Sequence, residues 1–358
     1  MKIILDDTKL KPALYPFTAT RHAADIRIGI LTIREKWAYS HRFQVDTDMD
    51  AYFSDISSDG NVATAIFAAN LIPTKAWLDT LELPAAVPGD HPAILENVDS
   101  VKSLDYPWQI FQLNDWALRK DFEMITSGRV SQPISATNRV VGIGDIFLEE
   151  GAVVEHAILN ATTGPIYIGK NATMMEGCMI RGPFALCEGA VLKMGAKVYG
   201  ATTIGPYCIA AGEIKNAILF DHSNKAHDGY LGDSVIGSWC NLGAGTTNSN
   251  LKNTAGGVKV WFNELKDYIP VGEKCGLLMG DYSRTAINTS FNTGTVIGVC
   301  CHIFGANFPP KFVGNFTWGN ERYTFEKVLE DISNWKKLKG SIMTEQEKEK
   351  IQQLYSQL

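Results

Sequence analysis

The chain has 358 residues, of which 45% are hydrophobic, 20% charged and 10% aromatic, and carries a formal net charge of −6. That length exceeds one ordinary core and fits two domains plus an appendage at roughly 100–200 residues each, and the composition excludes disorder as the main state. An acidic balance without a local basic patch argues against a nucleic-acid partner, and apolar stretches broken by charge well before about 20 residues exclude a helical membrane span.

Met1 to Leu5 runs directly into Asp6 and Asp7. This start gives no signal peptide and sets the expectation of a cytoplasmic protein. Residues 1–137 read as mixed α/β, with strands over Lys2–Leu5 and Ala63–Ala68. Helices are expected over Thr32–Ser40, Lys75–Leu81 and Pro107–Thr126.

From residue 138 to 320 the pattern changes. Only Gly29, Gly60, Gly89 and Gly128 precede residue 140 and only Gly340 follows 320, so 27 of the 32 glycines lie between. In that segment Ile168, Met174, Ile180, Leu186, Leu192, Val198 and Ile204 recur every six positions. Ala172, Cys178, Ala190, Ala196, Thr202 and Cys208 supply small residues four places later. The rhythm returns at Ile236 and Leu242, then from Met279 through Thr285, Phe291, Ile297 and Ile303. Six residues suit a short strand and a turn, so three repeats close one coil of a triangular parallel β-helix. The apolar position points inward, where coils stacked about 4.8 Å apart pack like on like. The period is broken at Lys215–Tyr230 and at Asn248–Pro270. Both segments are expected to leave the prism as loops, and such loops commonly carry function. The seven cysteines, all between Cys178 and Cys301, read as reduced, buried small residues.

After Trp318 the repeat stops. Residues 321–358 read as a helical tail, with Phe325, Val328, Leu329, Ile332 and Trp335 at helical spacing. Thr344 and Glu347 form a capping-box pattern for a last helix through Leu358. The tail is expected to pack on the solenoid or on a neighbouring subunit.

One string carries chemistry. Lys215 is followed after eleven residues by His227, after two more by Tyr230-Leu231-Gly232-Asp233, and after a further seven by Asn241-Leu242-Gly243-Ala244-Gly245-Thr246. This string closely resembles the acetyltransferase half of the bifunctional N-acetylglucosamine-1-phosphate uridyltransferase/glucosamine-1-phosphate acetyltransferase family. The resemblance implies a left-handed β-helix, a homotrimer with sites between adjacent β-helices, and acetyl-CoA and an amino-sugar 1-phosphate as substrates. It implies His227 as the general base, a task suited to an imidazole, which titrates near pH ~6.5 in water. Lys215 holds the phosphate, and Lys197 stands where the family carries an arginine. Tyr230 and Asn241 orient the sugar, Lys259 closes over it, and the backbone at Gly243 and Ala244 offers an N–H to the thioester oxygen and a slot for the pantetheine arm. No acyl-enzyme is required. His222 and His227 have the spacing of two zinc ligands of β-helical carbonic anhydrases, but Lys170–Ile214 holds no third histidine, so no metal site is expected there.

The segment Phe17–Trp37 resembles a divergent Bacteroidetes group of sugar nucleotidyltransferases, as do Ala69–Pro73, Tyr106–Phe111 and Asn292–Gly298. It implies a nucleotidyltransferase-like first domain in which Arg21, Arg27 and Lys36 contact the phosphates of a nucleoside triphosphate. The family's Gly-rich phosphate loop is missing. Asn70 stands where related enzymes place an Mg²⁺-binding Asp, and a neutral amide is a poorer ligand for a hard cation. Mg²⁺ is therefore expected only if this domain is catalytically active. Two alternatives stay open: a nucleotidyltransferase whose β-helix only assembles the trimer, and a non-catalytic sugar-nucleotide-binding scaffold.

Overall fold

The computed structural model describes residues 2–48, 64–81 and 99–357. Ala63 and Leu358, the expected limits of two elements, lie outside the described residues. The first part holds a three-stranded parallel sheet in the order Gln44–Asp46, Lys2–Asp6, Thr64–Ala68. The helix Ile33–Tyr39 starts at a capping box in which Glu35 N–H donates to Thr32 Oγ1 and Thr32 N–H donates to Glu35 Oε2. The expected helix from Pro107 to Thr126 is instead two helices, Gln109–Gln112 and Asn114–Thr126. They divide at Leu113, and the amide of the next residue, Asn114, is drawn sideways: it accepts from Gly29 N–H at 2.7 Å and donates to the Ala201 carbonyl at 2.8 Å.

From Arg139 onward the chain winds as a parallel β-solenoid of about ten turns, of the left-handed type. Each full coil contributes one short strand to each of three faces. Strands such as Met179–Arg181 and Lys197–Tyr199 form the first face. Phe184–Leu186 and Thr202–Ile204 lie in the second, and Val191–Leu192 and Ile209–Ala210 in the third. The six-residue apolar positions and their small partners are buried in the prism, Ile168, Ala172, Cys178, Leu186 and Ile204 completely. All seven cysteines are free and buried, and burial pushes the Cys187 and Cys301 thiols up to about 11.

The outward row of the second face is apolar as well. Ala185, Ile218, Val235, Leu278 and Val296 are fully buried beneath the amino-terminal domain and the elements packed on it. Phe17 packs on Phe220 at 5.4 Å between ring centroids, and the Thr203 hydroxyl donates to the Gly29 carbonyl at 2.9 Å. The two parts therefore share one continuous seam of core and hydrogen bonds.

Of the two expected excursions, only the second occurs. Asn248–Pro270 leaves the prism as an antiparallel hairpin, Val258–Phe262 against Asp267–Gly272. Lys215–Tyr230 stays within the wall. Lys197 pairs with Glu213 and Glu213 with Tyr230, giving coils of 16 and 17 residues where Met179 to Lys197 spans 18. The break in rhythm is thus a shortening of corners. Asn216 (φ 48°) and Asp233 (φ 47°) make one-residue corners in the left-handed region, which Asn and Asp tolerate, so Glu213–Leu219 and Tyr230–Ile236 each run unbroken over two faces.

The tail forms helices Phe325–Leu338 and Glu345–Ser356, the latter with the Thr344/Glu347 capping box. It packs on the solenoid itself: Val328 and Ile332 cluster with Trp239 and Tyr282, and the Lys336 ammonium lies 4.5 Å above the Trp239 ring.

One inward position breaks the apolar rule. Along the third face the row Met174, Leu192, Ala210 continues to Lys225, which is 1% exposed. Burial pushes this ammonium down to about 8, against a smaller opposing pull from Asp228. Between pH 8 and the usual lysine range the unfolded chain holds the proton that the folded chain has released, so stability rises with pH there; below pH 8 the full cost of the buried charge is present. Lys225→Met should remove that slope and be the more stable protein below pH 8, on the order of 3 kcal/mol, as read by urea unfolding across pH 7–10.5.

Candidate active site

His227 lies exposed at the corner that joins the third face to the first. The corner Ala226–Gly229 closes at Gly229 (φ 125°), where a Cβ would sit 2.1 Å from the Thr246 carbonyl oxygen, so only glycine fits. The Asp228 carbonyl accepts from Gly245 N–H at 3.1 Å, which stacks this corner on the Gly243–Thr246 corner of the next coil. The His227 carbonyl accepts from the buried Lys225 ammonium at 2.5 Å.

Most of the predicted residues lie on the two faces that meet at this edge. Lys215 and Tyr230 emerge on the first face. Asn241 lies on the third, its carbonyl oxygen accepting from the Asn224 amide at 3.3 Å. Gly243 and Ala244 form the adjacent corner. Of these two, Gly243 N–H is committed to Thr285, at 3.0 Å to the hydroxyl, whereas Ala244 N–H meets no acceptor among the described residues. An oxyanion donor at this corner is thus narrowed to Ala244.

Lys197 and Lys259 stand apart from the other predicted residues. The shortened coil puts Lys215 beside Tyr199 and Gly232, while Lys197 stands beside Glu213. Lys197 is therefore not stacked on Lys215, although both lie on the first face. Lys197 lines a groove of about 260 Å³ together with Ile158, Asn160, Met179, Arg181 and Tyr199. Lys259 does not close over His227. Its hairpin is pinned to the amino-terminal core by Val258, Val260 and Phe262, the last packed on Tyr106 and Trp108. The Lys259 carbonyl lies by Gly294 and accepts from Lys311, at the corner between the first and second faces.

Several groups escaped the sequence reading. The Tyr230 hydroxyl accepts from the Asn250 amide at 3.1 Å, which also donates to Asp233 at 2.5 Å; the Asn216 amide donates to the other Asp233 oxygen at 2.6 Å. Burial, reinforced by Asp233 and Glu213, pushes the Tyr230 phenol up to about 12, so it keeps its proton and can donate to a ligand. Glu213 and Arg181 reach the first face beside the predicted lysines. Asn250 could be found only by folding the chain, because it meets Tyr230 and Asp233 across one coil, 20 and 17 residues away.

The amino-terminal cations are engaged internally. Lys36 bonds both carboxylate oxygens of Asp121, which also accepts from Ile30 N–H at 2.7 Å and Leu31 N–H at 3.1 Å. Burial holds Lys36 below and Asp121 above their usual ranges. Arg27 donates to the Ile30 carbonyl, and Arg21 pairs with Asp281 on the solenoid and donates to Ser238 Oγ at 2.9 Å. Lys36 and Arg27 are thus buried links rather than an open phosphate cradle, while Arg21 also lines a cleft with Asp7, Lys11, His22 and Lys350. The Asn70 amide donates to Ser103 at 2.9 Å and Asp105 at 3.1 Å. Among the described residues no three His, Cys, Asp or Glu side chains are grouped to hold a metal ion. A neutral amide already committed to Ser103 and Asp105 does not fit Mg²⁺.

Residues 2–83 match the family described as sugar nucleotidyl transferase. The chain is 28% identical to the bifunctional protein GlmU of Methanococcus maripaludis over 57% of its own length and 43% of that protein's, and 29% identical to GlmU of Methanocaldococcus jannaschii over 55% and 42%. It is 30% identical to a bifunctional sugar-1-phosphate nucleotidylyltransferase/acetyltransferase of Sulfurisphaera tokodaii over 58% and 46%. The chain is thus similar in part to a sugar nucleotidyl transferase family and in part to bifunctional GlmU proteins. It spans less than half the length of these curated relatives. No described helix is long and apolar enough to cross a membrane.

The ion pair can be tested directly. Asp121→Ala leaves the Lys36 charge buried without its partner and should cost about 3–5 kcal/mol, whereas Lys36→Met combined with Asp121→Leu should stay within about 2 kcal/mol of wild type in the same unfolding titration.

Proposed function

We propose that the solenoid catalyses acetyl transfer from acetyl-CoA to the amine of an amino-sugar 1-phosphate, with His227 as general base. The observation that carries this reading is that His227 stands at the corner where the first face begins, with Tyr230 and Lys215 on that face and Asn241 on the adjoining third face. The neutral amine attacks the thioester carbonyl carbon. As the C–N bond forms, the imidazole takes a proton from nitrogen; the tetrahedral intermediate then expels the thiolate, which leaves as the thiol after receiving that proton. Ala244 N–H is the free backbone donor for the developing oxyanion. Lys215 supplies a point charge for the phosphate, and the protonated Tyr230 hydroxyl, fixed by Asn250, hydrogen-bonds the sugar. The buried cysteines take no part.

The exposed apolar side chains of the first face, Ile158, Met179 and Tyr199, support assembly through this face as a homotrimer in which a second copy completes the site. A second reading, nucleotidyl transfer to the sugar 1-phosphate by the amino-terminal domain, is favoured by the match over residues 2–83 and opposed by the internal pairing of Arg27 and Lys36. Pyrophosphate release from a nucleoside triphosphate in the presence of magnesium is its test.

For the acetyl transfer, thiol release from acetyl-CoA with glucosamine 1-phosphate should occur in the wild type and fall at least ~100-fold in His227→Ala with the oligomer intact. Lys215→Ala should raise KM for the sugar phosphate about 10–100-fold and leave KM for acetyl-CoA within about twofold, the signature of a lost charge-assisted contact. Unchanged turnover in His227→Ala would remove the imidazole from the mechanism.

A further inference from the structure

We infer that Lys225 is a positioning residue for His227: from inside the solenoid its ammonium fixes the main chain of the corner that carries the imidazole. The assignment rests on the reading of His227 as the base. Three observations lead to it. Lys225 stands at an inward position, in the row that Met174, Leu192 and Ala210 occupy on the preceding coils and Leu242 continues, where the repeat demands an apolar or small side chain. A charged group at such a position is stabilised only by a specific partner. Its hydrogen-bond partner is the carbonyl of His227 itself, at 2.5 Å, rather than a carboxylate. Asp228, the next residue of the same corner, supplies the compensating charge.

The contact acts on the main chain and not on the ring. The imidazole stays exposed and free to meet a substrate, while the peptide group beneath it is tied to the interior by a charge-assisted hydrogen bond. The other restraints on the corner are the Gly245-to-Asp228 bond and the Glu213 N–H bond to the Gly229 carbonyl at 3.3 Å. Both fall after His227. Lys225 is the side chain that reaches the His227 peptide, and displacing a catalytic group by about 1 Å can cost on the order of 100-fold in rate.

The experiment compares wild type, Lys225→Met, Lys225→Gln, His227→Ala and the double variant Lys225→Met/His227→Ala in the full chain, with acetyl-CoA and glucosamine 1-phosphate. Methionine suits the apolar row and should fold; glutamine keeps a shorter donor. The expected result is a fall in kcat of about 10–100-fold for Lys225→Met with both KM values within about twofold. Glutamine should recover part of the loss, and the double variant should be no slower than His227→Ala. Turnover of Lys225→Met within twofold of wild type overturns the assignment while leaving His227 in place. A double variant slower than His227→Ala by the full Lys225→Met factor also overturns it, since the lysine then acts independently of the imidazole. Absence of turnover in the wild type overturns the acetyltransferase reading and this assignment with it.

Discussion

Everything in this molecule depends on main-chain hydrogen bonds between successive coils. Each strand of the solenoid pairs in parallel register with the strand one coil before and one coil after, so side chains fall into columns running along the prism. Inward columns must be apolar or small, because stacked coils leave no water to solvate anything else. Outward columns are free, and their composition decides what each face does. The second face is apolar and carries the amino-terminal domain, the third is partly covered by the tail, and the first stays open with charged and aromatic side chains.

Much of this was legible in the sequence. The six-residue rhythm announces the inward columns, and the residues named from it are buried where expected. The string from Lys215 to Thr246 marks the stretch of wall whose chemistry the proposed reaction uses. The tail helices and the Thr344/Glu347 cap were equally readable. These features share a property: each is written over a few neighbouring positions with a fixed period.

What the sequence withheld depends on coil length and on contacts between distant segments. Lys197 lies 18 residues before Lys215 and so looks like its neighbour in the stack, but the Ala211–Gly212 corner is two residues shorter than the Lys193–Ala196 corner and slides the register. The broken rhythm at Lys215–Tyr230 looks like an insertion because shortening and insertion disrupt a period alike. Lys36 looks like a phosphate ligand until Asp121, 85 residues away, is folded against it. Lys259 looks like a lid until its hairpin is seen to serve the other domain's core. In each case charge or period was read correctly and the partner was missing.

The covered second face has a consequence for how the two parts can be treated. Its outward row is as greasy as its inward one, and as a parallel sheet it would present a flat, adhesive wall if laid bare. The amino-terminal domain is the shield over that wall, locked down by Asn114, Thr203 and the Arg21–Asp281 pair. A chain beginning at residue 138 would keep every group at the His227 edge and lose its solubility. Whatever reaction the first domain performs, it also serves as the coat that lets the second stay in water.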